Sequence, residues 1–344
     1  MKILITGVNG QLGHDIIHEL ISRDDKGLGE FTCIGTDIGA EYLAARNDTP
    51  TPFEYLSLDI TDEAKVDLTI RNLQPDAVIH CAAWTAVDLA EEEENKEKVS
   101  LINSLGSKYI VNAVKKLDDS QAHGCKMIYI STDYVFNGMG EEAWEADCKE
   151  YAPINHYGKT KLDGELIVSE TLSKYFIVRI AWVFGKNGKN FIKTMLNIAK
   201  TRKELKVVHD QIGTPTYTYD LAKLLCDMVV TEKYGYYHAT NSEVKASNLE
   251  EEKEGYTKDG CKIGYISWYD FTKEIFRQAV ELGYSEYQED QVHVSPVTTA
   301  EYGLSKALRP LNSRLDKSKL IENGFTALPT WQDAVNRYLK EIEF

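Results

Sequence analysis

The chain has 344 residues, of which 43% are hydrophobic, enough to bury one large core or two lobes of unequal size without disulfide bonds. Its formal net charge of −15 at pH 7 is spread along the sequence, which argues against a surface for nucleic acid or for an anionic membrane and favours small-molecule chemistry. An anionic ligand would therefore need a local positive site.

The first half of the chain alternates short β-branched or apolar runs with longer amphipathic stretches, which predicts β-α-β units feeding a parallel sheet. The predicted strands are Lys2–Thr6, Phe31–Thr36, Ala77–Cys81, Lys126–Ser131 and Phe176–Ala181. The predicted helices, with apolar residues at three- and four-residue steps, are Gln11–Arg23, Lys65–Asn72, Ser100–Leu117 and Tyr157–Ser173. Right-handed crossovers would lay helices on both faces, so the expected fold class is α/β with a doubly wound parallel sheet.

A glycine-rich loop follows the first predicted strand and opens the first helix. Its G-x-x-G-x-x-G pattern comprises Gly7, Asn9, Gly10, Gln11, Leu12 and Gly13. Glycines permit positive φ and close backbone approach, so the backbone amides and the positive end of the helix can hold a pyrophosphate. The strand before and the helix after favour a dinucleotide site over a plain turn.

Carboxylates end the next two apolar runs. Asp37 can accept hydrogen bonds from an adenosine ribose and repel a 2′-phosphate, which favours NADH over NADPH; the alternative is a cap or turn residue. Asp59 and Ile60 can flank the adenine, although a capping role for Asp59 is an open alternative.

Small residues follow the strand Ala77–Cys81. Ala82 and Ala83 allow a backbone to pass close to a flat cofactor, and Thr85 follows in the loop. Asn103, deep in the following helix, is compatible either with a structural role or with a proton relay.

The most informative segment is Ser131-Thr132-Asp133 at a strand end, followed 25 residues after Thr132 by Tyr157, with Lys161 one helical turn later. Tyr157 and Lys161 share a helix face, and an ammonium near a phenol is expected to lower the phenol's pKa. Tyr157 would then donate a proton to a substrate oxygen polarised by Thr132, while a nicotinamide held by Lys161 delivers a hydride. Read alone, the Tyr-x-x-x-Lys spacing also fits an ordinary surface pair.

From residue 186 onward the alternation loosens. We expect a dinucleotide-binding domain over residues 1–185, and over 186–344 mainly a substrate-binding lobe, with some segments returning to the core. The charged stretch 243–262 predicts an exposed loop or helical insertion.

The six cysteines are scattered, without a C-x-x-C pair or histidines at zinc spacing, which predicts a reducing compartment and neither disulfides nor a metal site. No signal-peptide pattern and no run long enough to span a bilayer occurs, so we expect a cytoplasmic protein.

Together these motifs resemble the extended short-chain dehydrogenase/reductases, which have a Rossmann-type fold. The closer resemblance is to the dTDP-4-dehydrorhamnose reductase family. It rests on Thr85–Asp88, Ser131–Phe136, Tyr157–Lys161, Asp210–Thr216 and Arg309–Ser313 and runs nearly end to end.

The resemblance implies reduction of the 4-keto group of dTDP-4-dehydro-L-rhamnose by NADH or NADPH, with Thr132, Tyr157 and Lys161 as the catalytic residues. It also implies that Trp182 packs against the sugar. It further implies that the Arg309 guanidinium supplies the positive charge that binds a diphosphate. The implied substrate-binding residues are Val87, Asp88, Thr132, Asp133, Tyr134, Trp182, Asn190 and Arg309.

Some members of the family carry a divalent ion at a dimer interface through glutamates, and Asp15 and Tyr219 stand at two of the matching positions here. We therefore predict no bound metal, and leave a monomer and a homodimer as open alternatives.

Two other functions compete with this prediction. A nucleotide-sugar epimerase or 4,6-dehydratase would use the same fold and triad, but related dehydratases place an Asp-Glu pair after the threonine, where this chain has Asp133-Tyr134. A non-catalytic subunit, like the regulatory subunit of methionine adenosyltransferase, would be favoured by a broken triad or glycine loop, and both are intact.

Overall fold

The structure, a computed structural model, describes residues 1–27, 30–43, 53–120 and 124–343. Its strands are β1 Lys2–Thr6, β2 Thr32–Asp37, β3 Glu54–Ser57, β4 Ala77–His80, β5 Lys126–Thr132, β6 Tyr175–Ile180, β7 Val183–Phe184, β8 Glu204–Val208, β9 Ile212–Gly213, β10 Thr216–Tyr217, β11 Gly235–His238, β12 Ile266–Ser267, β13 His293–Val297 and β14 Asn312–Ser313. Its α-helices are α1 Gln11–Asp25, α2 Glu63–Leu73, α3 Val87–Ala90, α4 Glu93–Ser100, α5 Ser107–Ser120, α6 His156–Thr171, α7 Phe191–Ala199, α8 Thr218–Val229, α9 Leu249–Glu254, α10 Trp268–Glu281, α11 Thr299–Tyr302, α12 Ser318–Glu322 and α13 Trp331–Glu341.

The main sheet has seven strands in the order β11-β6-β5-β4-β1-β2-β3, and every neighbouring pair is parallel. Separate buried apolar clusters pack on its two faces. The strand order reverses direction between β1 and β4, the place where such sheets form a binding crevice. The prediction of a doubly wound parallel sheet is confirmed.

Two strands of this sheet lie outside the predictions. β3 is a half-exposed edge strand, and β11 pairs with β6 from the second half of the chain. The segment from α8 to β11 thus returns to the sheet, and α8 packs along α1. Neither strand shows the alternation of apolar and polar residues by which a strand is recognised.

The predicted helix Ser100–Leu117 has a different start and an internal irregularity. A continuous helical segment begins with α4 at Glu93, passes through a π-helical stretch at Leu101–Gly106 and continues as α5. The acidic start of α4 buries only Val99, so its sequence carries little apolar periodicity.

The remaining part of the chain has its own core, formed around α7, α10 and α13 with the short strands β8 and β12. The charged stretch 243–262 is attached to this core at both ends, because Val244 and Cys261 are buried in it. The prediction of an exposed insertion is therefore wrong for these two anchors, although α9 between them carries exposed acidic residues. Within the described ranges, no helix is both long and apolar enough to cross a membrane.

Candidate active site

A cavity of about 790 Å³ opens at the carboxyl ends of the parallel strands. Its lining includes the glycine loop and, from the second half of the chain, Trp182, Trp268 and Arg309. The predicted site residues that line it are Gly7, Asn9, Gly10, Gln11, Leu12, Gly13, Asp37, Asp59, Ile60, Ala82, Ala83, Thr85, Val87, Thr132, Asp133, Tyr134, Tyr157, Lys161, Trp182 and Arg309. Asp88 and Asn190 are the two predicted residues that do not line it.

At two glycines of the loop, a side chain would collide with neighbouring backbone atoms. Gly7 has φ +74°, and a Cβ atom added to it would lie 2.7 Å from the amide nitrogen of Ala82. A Cβ added at Gly13 would collide with the carbonyl oxygen of Gly7. The loop therefore brings bare backbone and the N-terminus of α1 to the cavity, a geometry that fits a diphosphate.

Asp37 lies at the end of β2, where a ribose contact is expected. Its carboxylate accepts hydrogen bonds from the amides of Asn9 (3.0 Å) and Ile38 (2.8 Å), which hold it at the cavity edge. Asp59, by contrast, accepts from the amide and hydroxyl of Thr61 at 2.9 and 2.7 Å. Asp59 therefore makes a local turn contact with Thr61, and the capping role left open for it belongs to Asp62, which caps α2.

Asn103 is buried in the π-helical stretch. Its side chain accepts from the amide of Trp84 at 2.8 Å and donates to Thr160 Oγ1 at 3.0 Å and to the Trp84 carbonyl at 3.2 Å. Both of its N–H groups are therefore used in linking α6 to the loop after β4. These contacts are those of a structural residue.

The predicted catalytic residues converge on the cavity from β5 and α6. Thr132 ends β5 and lines the cavity together with Tyr157, and its side chain lies close enough to lower the Tyr157 pKa. Asn155 caps α6 by accepting from the amide of Gly158 at 2.7 Å, which fixes the first turn, where Tyr157 lies. The fold thus brings together residues that are 25 positions apart.

The expected lowering of the Tyr157 pKa is wrong. Burial raises the pKa of Tyr157, and the nearby Asp133 carboxylate raises it further. Lys161 is only 4% exposed, and burial lowers its pKa to about 7. The Lys161 ammonium lies over the ring of Tyr129, 4.1 Å from the centroid. Desolvation outweighs the expected attraction because Lys161 is buried and Tyr157 is half-buried.

Asp133 links the catalytic strand to the second half of the chain. Thr132 Oγ1 donates to one carboxylate oxygen at 3.0 Å, and Ser313 Oγ donates to the other at 2.5 Å. Burial raises the pKa of Asp133 to about 6. Both oxygens have protein partners, so the expected contact of Asp133 with substrate competes with these bonds. Sequence reasoning missed the role of Ser313, which no local pattern indicates.

The predicted cation, Arg309, is partly neutralised. It forms an ion pair with Asp88 at 2.7 Å and donates to the Tyr134 hydroxyl at 3.1 Å. Asp88 also accepts from the amide of Ala307 at 3.1 Å. Asp88 therefore positions Arg309 and its loop rather than lining the cavity.

Asn190 has a different role from the predicted substrate contact. Its carbonyl oxygen caps α7 by accepting from the amide of Lys193 at 3.1 Å. Its amide donates to Tyr338 Oη at 2.8 Å and to the Gly185 carbonyl at 2.9 Å. The side chain is buried away from the cavity because it satisfies the end of a helix.

An aromatic pair forms part of the cavity wall. The indoles of Trp182 and Trp268 stack with centroids 3.8 Å apart and planes inclined by 19°. Trp182 has φ +50°, a strained value for a residue with a side chain, and Trp268 Nε1 donates to Gln211 Oε1 at 3.1 Å. Trp268, like the cavity-lining Lys98 and Lys189, was not predicted as a site residue.

The family model described as RmlD substrate binding domain matches residues 1–344. The chain belongs to this family. The resemblance carried by the sequence motifs is thereby confirmed.

RmlD family relatives match the chain nearly end to end. The dTDP-4-dehydrorhamnose reductase of Escherichia coli (strain K12) is 35% identical over 352 residues, covering 99% of this chain and 98% of the relative. The spore coat polysaccharide biosynthesis protein SpsK of Bacillus subtilis (strain 168) is 33% identical over 340 residues, covering 99% and 97%. A crystal structure of dTDP-4-dehydrorhamnose reductase from Bacillus anthracis str. Ames in complex with NADP has a TM-score of 0.77 and 35% identity, covering 99% of each chain.

The two positions that match the metal site of some RmlD family members have protein partners here. Thr218 Oγ1 donates to Asp15 at 2.5 Å, and the Lys223 ammonium lies 4.0 Å from the ring centroid of Tyr219. Burial raises the pKa of Asp15 to about 6. Across the described residues there is no group of three or more His, Cys, Asp or Glu side chains able to hold a metal ion.

Proposed function

We propose that this protein reduces the 4-keto group of dTDP-4-dehydro-L-rhamnose to give dTDP-L-rhamnose, with NADH or NADPH as the reductant. The observation that carries the proposal is that Thr132, Tyr157 and Lys161 line the same cavity as the glycine loop. The names of the 33–35% identical relatives support the substrate. The complex of the Bacillus anthracis relative with NADP supports the cofactor class.

The residues of the cavity fit a dinucleotide. The loop from Gly7 to Gly13 would hold the diphosphate, Asp37 the adenosine ribose, and the small residues Ala82 and Ala83 would face the flat rings. The nicotinamide, when bound, supplies the hydride. Lys161, which lines the cavity together with Thr132 and Tyr157, would bind the nicotinamide ribose.

Tyr157 acts as the general acid. Its raised pKa keeps the phenol protonated at neutral pH, which is the form that can donate to the ketone oxygen. The Lys161 ammonium stabilises the phenolate that remains after the proton has left. Thr132 must turn its hydroxyl from Asp133 to the substrate oxygen to polarise the carbonyl.

The proposal also assigns cofactor binding and substrate binding to different parts of the chain. Residues 1–185 would hold the cofactor, and residues 186–344 would contribute most of the substrate site. Trp268 and Arg309 line the cavity from the second part of the chain, which supports this division.

We also propose a reducing, cytoplasmic environment. The six cysteines are all free thiols, which supports this proposal.

The reaction is tested by stoichiometry. Purified protein is incubated with dTDP-4-dehydro-L-rhamnose and each reduced cofactor, and loss of cofactor absorbance is compared with product identified by mass spectrometry and NMR. We expect one equivalent of cofactor oxidised per dTDP-L-rhamnose formed. Turnover without net oxidation would contradict a reductase and indicate an epimerase or a dehydratase.

We expect NADH to be preferred over NADPH, and Asp37→Asn to weaken that preference. The substitution keeps an acceptor for the amide of Asn9 but removes the charge that repels a 2′-phosphate. The ratio of kcat/KM for NADH to that for NADPH should fall by about tenfold. Asp59→Asn is the matched control, because Asp59 lines the same cavity but binds Thr61. An unchanged ratio in Asp37→Asn, or an equal fall in the control, would refute the assignment.

Replacing Arg309 with Met should raise the KM for the nucleotide sugar about tenfold to a hundredfold with little change in kcat. The reason is the loss of charge-assisted hydrogen bonds to the substrate diphosphate, each contributing about 1.5–3 kcal/mol. Initial rates at varied substrate measure both constants. The exposed Arg202, replaced in the same way, should leave KM unchanged. A fall in kcat at constant KM would assign Arg309 to a different step.

A further inference from the structure

Lys161 is enclosed by titratable side chains from three elements. Tyr157 and Glu165 lie on its own helix α6, Tyr129 on β5, and His80 and Cys81 at the end of β4. Because little water contacts the Lys161 side chain, its charge depends on its interactions with these five groups.

Two of the neighbours are uncharged near neutral pH. Burial lowers the pKa of His80 to about 3 and raises that of Cys81 to about 12. Both ring nitrogens of His80 also form hydrogen bonds, one with Thr6 at 2.7 Å and one with Ser107 at 3.1 Å. Tyr157 is likewise protonated, as described above. None of these three groups therefore offers Lys161 a counter-charge.

Glu165 is the carboxylate among them, and it is already paired. Arg179 donates to its two oxygens at 2.8 and 2.7 Å, and the side chains of both residues are fully buried. The Glu165 charge still raises the pKa of Lys161, but it acts alongside the opposite charge on Arg179.

The group that the Lys161 ammonium meets face-on is the ring of Tyr129. The nitrogen lies 4.1 Å from the ring centroid, well inside the range of a cation–π contact, and Tyr129 is fully buried. The Tyr129 hydroxyl donates to the backbone carbonyl of Lys161 at 3.3 Å, so one residue contacts both the head and the backbone of the lysine. A Cβ atom at Gly164 would collide with that hydroxyl, so glycine is what allows α6 to approach β5 here.

We propose that Tyr129 is a positioning residue for Lys161, its ring face holding the ammonium charged at the base of the cavity while its hydroxyl fixes the lysine's helix to β5. The catalytic consequence rests on the proposed function, in which Lys161 must be charged to stabilise the Tyr157 phenolate. The contact itself does not rest on it. Because the ring attracts only the charged form, losing it leaves desolvation to favour the neutral amine.

The test measures the Lys161 titration directly in the protein without cofactor or substrate. Lysine labelled with ¹³C at the ε carbon is followed by NMR against pH, and the Lys161 signal is assigned by its loss in Lys161→Arg. We expect Tyr129→Leu to move the midpoint down by about one pH unit, and Tyr129→Phe to leave it nearly unchanged because the ring remains. A wild-type midpoint in Tyr129→Leu, or equal shifts in both variants, would overturn the proposal.

A graded series covers the case in which Tyr129→Leu fails to fold. Phenylalanine carrying one, two and three fluorine atoms is incorporated at position 129, which weakens the negative ring face while nearly preserving its shape. The Lys161 midpoint should fall with each added fluorine. A flat series at unchanged thermal stability would overturn the role of the ring.

Turnover then separates this inference from the proposed function. A lower Lys161 pKa reduces the ammonium fraction at pH 7, so the alkaline limb of kcat/KM should move to lower pH by the same amount as the NMR midpoint. An NMR shift without any reductase activity would uphold the Tyr129 contact and reject the function. Reductase activity whose alkaline limb stays in place despite an NMR shift would reject the catalytic consequence.

Discussion

A Tyr157→Phe variant is expected to lose about 10²- to 10⁴-fold in kcat while binding the cofactor almost as tightly as the wild type. The substitution removes the hydroxyl of the tyrosine that lines the cavity with Thr132 and leaves its ring in place. Hydride transfer to a ketone leaves charge on oxygen, which then has no acid to neutralise it. Steady-state rates, together with cofactor titration by fluorescence, measure the two effects separately.

Tyr134→Phe is the matched control for this experiment. Tyr134 lines the same cavity, and its ring meets that of Tyr157 edge-on with centroids 5.6 Å apart, but its hydroxyl accepts from Arg309. We expect the control to raise KM for the nucleotide sugar and to retain most of kcat. Equal kcat in Tyr157→Phe and the wild type, or a larger loss in the control, would remove Tyr157 from the mechanism.

Arg179→Met is expected to reduce the free energy of unfolding by about 3–5 kcal/mol. The variant leaves Glu165 charged and buried without its partner, since both side chains have 0% exposure in the wild type. The Arg179 guanidinium also lies over the rings of Phe136 and Tyr236, each 4.9 Å from its centroid, so packing is lost as well. Urea-induced unfolding followed by circular dichroism measures the difference.

Two further variants show whether the unpaired charge is the cause. Arg71→Met removes an exposed partner of Asp67, whose ion pair spans 3.8 Å, and should cost less than about 1 kcal/mol. Arg179→Met combined with Glu165→Leu should recover much of the stability, because no charge is then left buried. A double variant as unstable as the single one would assign the loss to packing instead.

The local features of the site could be predicted from the sequence because they depend on neighbours along the chain. Tyr157 and Lys161 share a face of α6 because they are four residues apart on a helix. The loop from Gly7 to Gly13 opens α1 as its pattern predicts, since three glycines between a strand and a helix allow the close turn. The parallel β-α-β units of the first half follow in the same way from the alternation of apolar runs and amphipathic helices.

Contacts between residues far apart in the sequence could not be predicted in this way. Asp133 meets Ser313, 180 positions away, and Arg309 meets Asp88, 221 positions away, and no periodic pattern links either pair. Asn190 illustrates the converse: the family resemblance implied a ligand contact, whereas the side chain of Asn190 caps the start of α7. Trp268 becomes part of the cavity wall only because α10 packs beside the strained Trp182.

The sequence by itself determined the doubly wound fold, the glycine loop and the identities of the threonine, tyrosine and lysine at the proposed catalytic centre. The tertiary structure alone decided the pKa shifts of the tyrosine and the lysine. Proximity of an ammonium to a phenol can be deduced from spacing, but the pKa of each group also depends on how much water surrounds it and on which distant groups face it. For Lys161, that distant group is the ring of Tyr129, brought beneath it by the packing of α6 on β5.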